Sequence, residues 1–259
     1  MKKILTPILF TAFLCLVKYF VTSFFVAPSE EAHSTADEVA AQVGKRKLSV
    51  SGRVGEYDFV DLDLPSGTKW ATCNVGATKP TEYGDFFAWG ETQPKENYCW
   101  ETYKWCTVDA NGDIDKVSKY VLRNSYGEVD NKQVLDAEDD AATANWGRAW
   151  RIPTKEQQRE LIKACDWEWV KDFNGSGVTG YWGTSKGNGE TIFLPGGGFM
   201  DGNALYKAGN PGFYLSSSLF EDYSTRAYYI YFYNSDYIFC YHNFRYIGQN
   251  VRAVVNNGL

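Results

Sequence analysis

Side chains suited to nucleophilic or acid–base chemistry are scarce in this sequence of 259 residues. It holds 2 histidines and 6 cysteines, and no two cysteines form a C-x-x-C pair. A zinc site needs several closely spaced histidine or cysteine ligands, so none is predicted. Ser185 lies in a G-x-S-x-G sequence with His242 as its only base, but Asn188 and Gly189 predict a turn where a nucleophile elbow needs a helix. We therefore predict no catalytic residues and no enzyme activity.

Carboxylates are plentiful, but their spacing does not define a metal site. Residues 109–115 alternate Asp and Asn like a calcium loop, yet the sixth position is not glycine and the twelfth is not glutamate. This favours a solvated turn. Glu138, Asp139 and Asp140 could hold a cation, but acidic residues also suit the first turn of a helix through its dipole. We predict no cofactor, and a structural calcium ion is not supported.

Aromatic side chains are the abundant chemical resource, and they are concentrated near the end of the chain. Ten of the 18 tyrosines lie between residues 201 and 247. In the predicted strands 227–233 and 237–242, successive side chains point to opposite faces. One face carries Tyr229, Tyr231, Tyr233, Tyr237, Phe239 and Tyr241, and the other carries Tyr228, Ile230, Phe232, Ile238 and Cys240. A large exposed aromatic patch typically marks a binding surface. The predicted ligand contacts are Tyr229, Tyr231, Tyr233, Tyr237, Phe239, Tyr241, Asn243, Phe244, Tyr246 and Ile247.

One alternative is that loops 80–135 fold over this aromatic face and bury it as ordinary core.

The net charge of the chain bears on which class of partner it can bind. The formal net charge is −6 and the pI is near 5.1, which argues against nucleic acid as a partner, because binding to phosphates needs clustered Lys and Arg.

The elements that must position this surface belong to one exported domain. A basic start and a largely apolar run through residues 1–27 predict a signal peptide or a retained membrane anchor, since the 24 residues from Ile4 to Ala27 are long enough to span a bilayer. Cys15 would suit a lipoprotein, but Leu14 before it is too large. Residues 28–54 are polar and predict a flexible linker, and 55–259 form the single domain. We expect contact with a membrane only through the N-terminal segment, and an exported location that is secreted, at the cell surface or associated with the outer membrane.

Within 55–259 the patterns predict an α+β domain with two main helices, antiparallel strands and long irregular loops. One helix begins at Thr154, where Gln157 completes a capping box. The other follows Asp136 and ends near Gly147. A hairpin over 57–75 opens the domain, and only strands and turns follow Trp167.

An exported domain permits disulfide bonds. We predict two pairs, Cys73 with Cys165 and Cys99 with Cys106, which leave Cys240 without a partner. Spacing alone does not establish this pairing.

Long motifs in order resemble a known family. Residues 60–77 (VDLDLPSGTKWATCNVGA), 83–91 (YGDFFAWGE), 150–154 (WRIPT), 216–218 (SSS) and 248–254 (GQNVRAV) are similar to the Fibrobacter succinogenes major paralogous domain. The resemblance covers roughly residues 56–255. It implies a C-type-lectin-like fold related to the formylglycine-generating enzyme, in exported and surface proteins of Bacteroidetes.

In some relatives this fold is the variable protein of a diversity-generating retroelement, whose C-terminal hairpin is rewritten at Asn-type codons. The resemblance places such variation at Tyr229, Tyr231, Tyr233, Phe239, Tyr241, Asn243, Tyr246 and Ile247.

The leading interpretation is an adhesin-like binding domain that contacts an unidentified protein or glycan on a host or microbial surface through its aromatic hairpin. One alternative is an enzyme of the formylglycine-generating type or a glycan-processing relative, for which Cys240 would need a second thiol nearby. The other is a structural component of a pilus or envelope.

Overall fold

The structure, a computed structural model, describes residues 45–234 and 237–256. The chain from Arg46 onward forms one compact unit. The predicted linker therefore ends earlier than residue 54: the Arg46 guanidinium donates to Glu168 at 2.8 Å, and residues 52–54 already form a strand. The predicted signal or anchor segment and linker residues 28–44 lie outside the described residues. In the part of the chain described, no helix is long and apolar enough to cross a membrane.

The expectation of an α+β domain with two main helices is wrong. The structure is mostly β, with 37% strand against 12% helix, and its antiparallel sheets curl into a half-barrel. The strands are β1 (Gly52–Val54), β2 (Tyr57–Asp61), β3 (Lys69–Ala71), β4 (Cys106–Val108), β5 (Ile114–Val117), β6 (Trp150–Arg151), β7 (Cys165–Val170), β8 (Gly180–Ser185), β9 (Thr191–Pro195), β10 (Phe199–Asp201), β11 (Ala204–Tyr206), β12 (Gly212–Leu219), β13 (Arg226–Tyr233), β14 (Tyr237–Phe244) and β15 (Val254–Val255).

The two α-helices among the described residues are short, which explains the error. Helix α1 spans Ala141–Trp146 and helix α2 spans Lys155–Ala164. The segment after Asp136 first makes a 3-10 turn. The α-helix starts only after Asp140, whose side chain accepts the Thr143 N–H at 2.9 Å. Gly147 ends it with φ 89°. Helix α2 begins as predicted, with both halves of the Thr154–Gln157 capping box formed.

The largest sheet has five strands in the order β1-β2-β3-β15-β6. The predicted opening hairpin is confirmed as β2 and β3, and the Gly67 N–H closes its turn on the Leu64 carbonyl at 2.8 Å. Val254 of β15 lies between Trp70 and Arg151, so the end of the domain is built into its first sheet. This closure explains why a very short last strand is fully buried at Val254.

A second sheet, in the order β12-β13-β14, carries the predicted binding hairpin. One face packs on the core, where Ile230 and Phe232 join a buried cluster with Leu161 of α2. The Gln158 side chain of α2 donates to the carbonyls of Tyr214 at 2.9 Å and Leu215 at 3.0 Å. The helix therefore holds the sheet from behind through both apolar packing and hydrogen bonds.

Candidate ligand-binding surface

The outer face of this sheet is built from rows of side chains that the strand register places side by side. Phe213, Tyr231 and Phe239 form one row across the three strands, and Leu215, Tyr229 and Tyr241 form the next. Tyr233 and Tyr237 pair at the hairpin end. We call this set the aromatic face: Phe213, Tyr229, Tyr231, Tyr233, Tyr237, Phe239 and Tyr241.

Four rings of the aromatic face are exposed to solvent. The exposed fractions are 70% for Tyr237, 51% for Tyr241, 40% for Tyr233 and 38% for Phe239. Tyr231 is half-buried between them. The alternative in which loops 80–135 bury the whole face therefore does not describe this structure.

Two of the predicted contact residues are buried. Tyr229 is 5% exposed and Ile247 is 4% exposed. The Tyr229 ring stacks on Phe213 at 5.5 Å and meets the Tyr241 ring edge-on at 6.3 Å. Burial raises the pKa of its hydroxyl. Tyr229 therefore supports the exposed rings from beneath. Tyr229 and Ile247 are buried, so they are not suited to the surface variation that the resemblance implies at these positions.

The last predicted contacts form a separate cluster. Phe244 and Tyr246 stack on each other at 5.8 Å, and Trp100 packs edge-on against both, at 5.8 Å and 4.7 Å. Half-buried Asn243 accepts the Phe244 N–H at 2.8 Å through its own side chain. Trp100 was missed from sequence, because it lies far from the hairpin along the chain.

Two further aromatic residues, Phe199 and Tyr206, extend the aromatic face, and sequence reasoning missed both of them as well as Phe213. Phe199 packs on Phe213 at 4.8 Å and stacks on Tyr206 at 5.5 Å, and Tyr206 is 46% exposed. Phe213 shares its face of β12 with Leu215, and the register between β12 and β13 sets it beside Tyr231. Phe199 and Tyr206 come from the β10–β11 hairpin, and nothing in its pattern indicates which sheet it meets.

Charged groups border the aromatic face rather than lie within it. The Lys207 ammonium lies over the Tyr233 ring at 6.0 Å from the ring centre. At the opposite end, the Arg226 guanidinium lies over Phe244 at 4.7 Å and contacts the His242 ring nitrogen at 3.3 Å. A cation over an aromatic ring is a favourable contact. Lys207 and Arg226 therefore place charge at the border of the aromatic face while still packing on its rings.

The cysteines do not pair as predicted. Cys73, Cys99, Cys106, Cys165 and Cys240 are all free thiols in the structure. The Cys106 thiol donates to the Trp100 carbonyl at 3.1 Å, whereas the Cys99 thiol contacts Thr102 at 3.5 Å. Cys165 directly follows α2 and packs in the core, whereas the Cys73 thiol donates to the Ala77 carbonyl. The tertiary structure thus sends the members of each predicted pair to different neighbours.

Cys240 does not have the surroundings of a nucleophile. Its thiol is half-buried against Gln158, with 3.8 Å between the sulfur and the amide oxygen. Burial raises the pKa of the thiol to about 11, although Arg159 opposes the shift. A raised pKa keeps the sulfur protonated at neutral pH, and the thiolate is the reactive form.

The acidic residues cluster around a lysine. Asp136, Glu138 and Asp139 bring carboxylate oxygens within 4.8 Å of one another. The Lys119 ammonium pairs with these carboxylates at 2.7, 3.4 and 2.5 Å. A cation is therefore already supplied by the chain itself. In residues 109–115, the Asp109 carboxylate accepts the N–H groups of Asn111 and Asp113, as a tight turn requires.

Ser185 of the G-x-S-x-G sequence is a structural residue. It ends β8 at 4% exposure and donates its hydroxyl to the Leu62 carbonyl at 2.5 Å. A turn follows it, as Asn188 and Gly189 predicted.

No protein-family model matches this chain, and no curated protein or solved structure matches it.

Proposed function

We propose that this chain is a non-catalytic, adhesin-like binding protein of the cell surface or exterior, and that the aromatic face is its contact surface. The observation that carries the proposal is the exposure of Tyr233, Tyr237, Phe239 and Tyr241 together on one face of a sheet whose other face is firmly packed. Isolated exposed rings are ordinary on a protein surface, but a contiguous group marks an interaction site.

The arrangement suits binding because the rings are already held in place. Phe239 packs edge-on against Tyr231 at 5.2 Å and against Tyr241 at 5.9 Å. Tyrosine has few rotatable bonds, so such side chains lose little entropy on binding, and their hydroxyls add hydrogen bonds at the rim. A few aromatic anchors typically dominate the binding energy of an interface. The partner we propose is a protein or glycan displayed on a host or microbial surface.

The motif resemblance supports the same proposal. The similar family is common in exported and surface proteins, and the basic and apolar start of the chain predicts export. The enzyme alternative would need a reactive Cys240, and the pKa of that thiol is raised rather than lowered.

The test compares two single variants with matched exposure. Tyr241 on the aromatic face is 51% exposed and Tyr223 outside it is 49% exposed. Binding of each labelled protein to a printed glycan array and to immobilised extracellular-matrix proteins is measured. We expect Tyr241→Ser to weaken binding about tenfold or more, in line with loss of an aromatic anchor, and Tyr223→Ser to leave it unchanged.

Melting temperature is the control for folding, since neither exposed ring should contribute much to stability. Equal binding by wild type, by Tyr241→Ser and by the triple variant Tyr237→Ser, Phe239→Ser, Tyr241→Ser, with all three proteins folded, would refute the aromatic face as the contact surface.

A further inference from the structure

Strand β14 is a long edge strand with an unusual composition. It lies at the end of the β12-β13-β14 order and pairs with β13 over its full length without a bulge. None of its eight residues (YIFCYHNF) is buried, and none is Lys, Arg, Asp, Glu or Pro. Edge strands of soluble proteins usually carry charges, prolines or bulges that prevent further pairing. This strand has none of these protections.

The backbone of β14 offers a run of groups that point away from the sheet. The Arg245 N–H donates to the Thr225 carbonyl, so the odd-numbered residues of the strand are those that bond to β13. In an antiparallel ladder the alternate residues then direct their N–H and C=O groups outward. These residues are Ile238, Cys240 and His242, and their outward backbone groups have no partner among the described residues. The run ends at Phe244, whose N–H is taken by Asn243 at 2.8 Å.

The other long edges of the described sheets are covered or protected. Strand β12 is bridged on its outer side, where the Leu215 N–H donates to the Asn250 carbonyl at 2.9 Å. Strand β9 is covered at Thr191 by Ser49 and ends at Pro195. Strand β7 carries two acidic residues among its six. The unpaired, uncharged edge is therefore particular to β14.

We propose that the β14 edge pairs with β14 of a second copy of this chain, antiparallel about a two-fold axis at Cys240. The three outward residues then match each other: Ile238 lies opposite His242 of the second copy, Cys240 lies opposite Cys240, and each such pair exchanges two N–H···O bonds. Pairing of this kind joins two three-stranded sheets into one continuous sheet. Closed two-fold dimers are the commonest assemblies of identical chains.

Side chains favour a second copy as the occupant. On the aromatic face, Phe239 lies opposite Tyr241 of the second copy, and cross-strand aromatic pairs stabilise antiparallel ladders. Behind the edge, helix α2 packs against β14. It presents Glu156, Arg159 and Lys163 to solvent, so two antiparallel copies can bring acid beside base. The aromatic faces of both copies would then lie on the same side and form one larger surface.

The test uses two double variants that differ only in the sign of the charge at residue 241. In Phe239→Lys with Tyr241→Lys, lysines of the two copies lie directly opposite each other. In Phe239→Lys with Tyr241→Glu, each lysine faces a glutamate across the axis. Both variants lose the same two rings, so the loss of aromatic packing is matched. The full chain, purified in a nonionic detergent, is studied by sedimentation equilibrium without any ligand.

We expect a wild-type dimer, a dissociation constant raised about tenfold or more for the Lys/Lys variant relative to the Lys/Glu variant, and weaker dimerisation of His242→Pro, which removes one outward N–H. Near-ultraviolet circular dichroism verifies folding. A monomeric wild type, or equal association of the two double variants, would overturn the proposal. The measurement needs no ligand, so its failure would leave the proposed binding function standing.

Discussion

His242 shows how one side chain links the hairpin to its neighbours. Its ring stacks between Phe220 at 3.8 Å and Tyr241 at 4.7 Å, both with an interplanar angle of 17°. The groups that face it are Arg226, at 3.3 Å from its Nδ1, and the more distant Asp222. Burial lowers the pKa of His242, the Arg226 charge lowers it further, and Asp222 opposes the shift.

This lowered pKa predicts a stability that depends on pH. As pH falls through the ordinary histidine value of 6.5, the unfolded chain takes up a proton that the folded protein resists, so the free energy of unfolding decreases. The loss stops below the folded pKa, where both states are protonated. We expect this dependence to be absent in His242→Gln. Urea unfolding of both proteins from about pH 8 to about pH 5 measures the difference, and parallel curves would contradict the prediction.

At the scale of elements, helix α2 supports the sheet that carries the aromatic face, and its start is defined locally. The Gln157 side chain accepts the Thr154 N–H at 3.1 Å and also the Arg151 guanidinium at 2.8 Å. The Thr154 hydroxyl in turn accepts the Gln157 N–H. The cap therefore fixes where the helix leaves β6 and so where Gln158 meets β12.

Removing the capping hydroxyl of Thr154 should lower the free energy of unfolding by the amount typical of an N-cap. We expect Thr154→Ala to lower the free energy of unfolding by about 1 kcal/mol, because the Gln157 N–H loses the hydroxyl that accepts its hydrogen bond. Thr154→Ser retains a capping hydroxyl and should remain within a few tenths of wild type. Chemical denaturation compares the three proteins. If the alanine and serine variants lose equal stability, the hydroxyl is not what matters.

At the scale of the whole molecule, Arg245 joins the end of the hairpin to the long loops. Its side chain is 1% exposed and donates to the Tyr103 hydroxyl at 2.8 Å and to the carbonyls of Lys119 at 3.0 Å and Ser224 at 2.9 Å. The guanidinium also lies over the Trp89 ring at 4.7 Å. The buried Arg245 side chain therefore connects the loops that contain Tyr103 and Lys119 to the end of strand β14.

Lysine cannot reproduce this arrangement, because a single ammonium replaces a planar group with several fixed donors. We expect Arg245→Lys to destabilise the protein by roughly 2–4 kcal/mol, since buried acceptors are left unpaired. The matched control is Arg123→Lys. Arg123 forms an exposed ion pair with Asp222, at 3.0 Å, and surface pairs contribute little. Thermal unfolding distinguishes the two, and a mild effect at Arg245 would show that the loops are held by other contacts.

Several features could be predicted from sequence because they are local. The capping box at Thr154, the hairpin of β2 and β3 and the alternation along β13 and β14 each depend on residues near one another in the chain. The fold class could not be predicted as reliably. The acidic and alanine-rich sequence after Asp136 suits a helix. In the structure, however, Asp136 and Asp139 form ion pairs with Lys119, and the helix begins only at Ala141 and ends at Trp146.

The sequence by itself determined that the hairpin has an aromatic side and an apolar side, because side-chain alternation follows from strand geometry alone. Only the tertiary structure decided which of those rings are exposed. Phe213 from β12 covers Tyr229, Trp100 from a distant loop gathers Phe244 and Tyr246, and α2 buries the back of the sheet. Only the tertiary structure leaves β14 at an edge. Burial and edge position depend on contacts between residues far apart in the chain, and no local pattern encodes them.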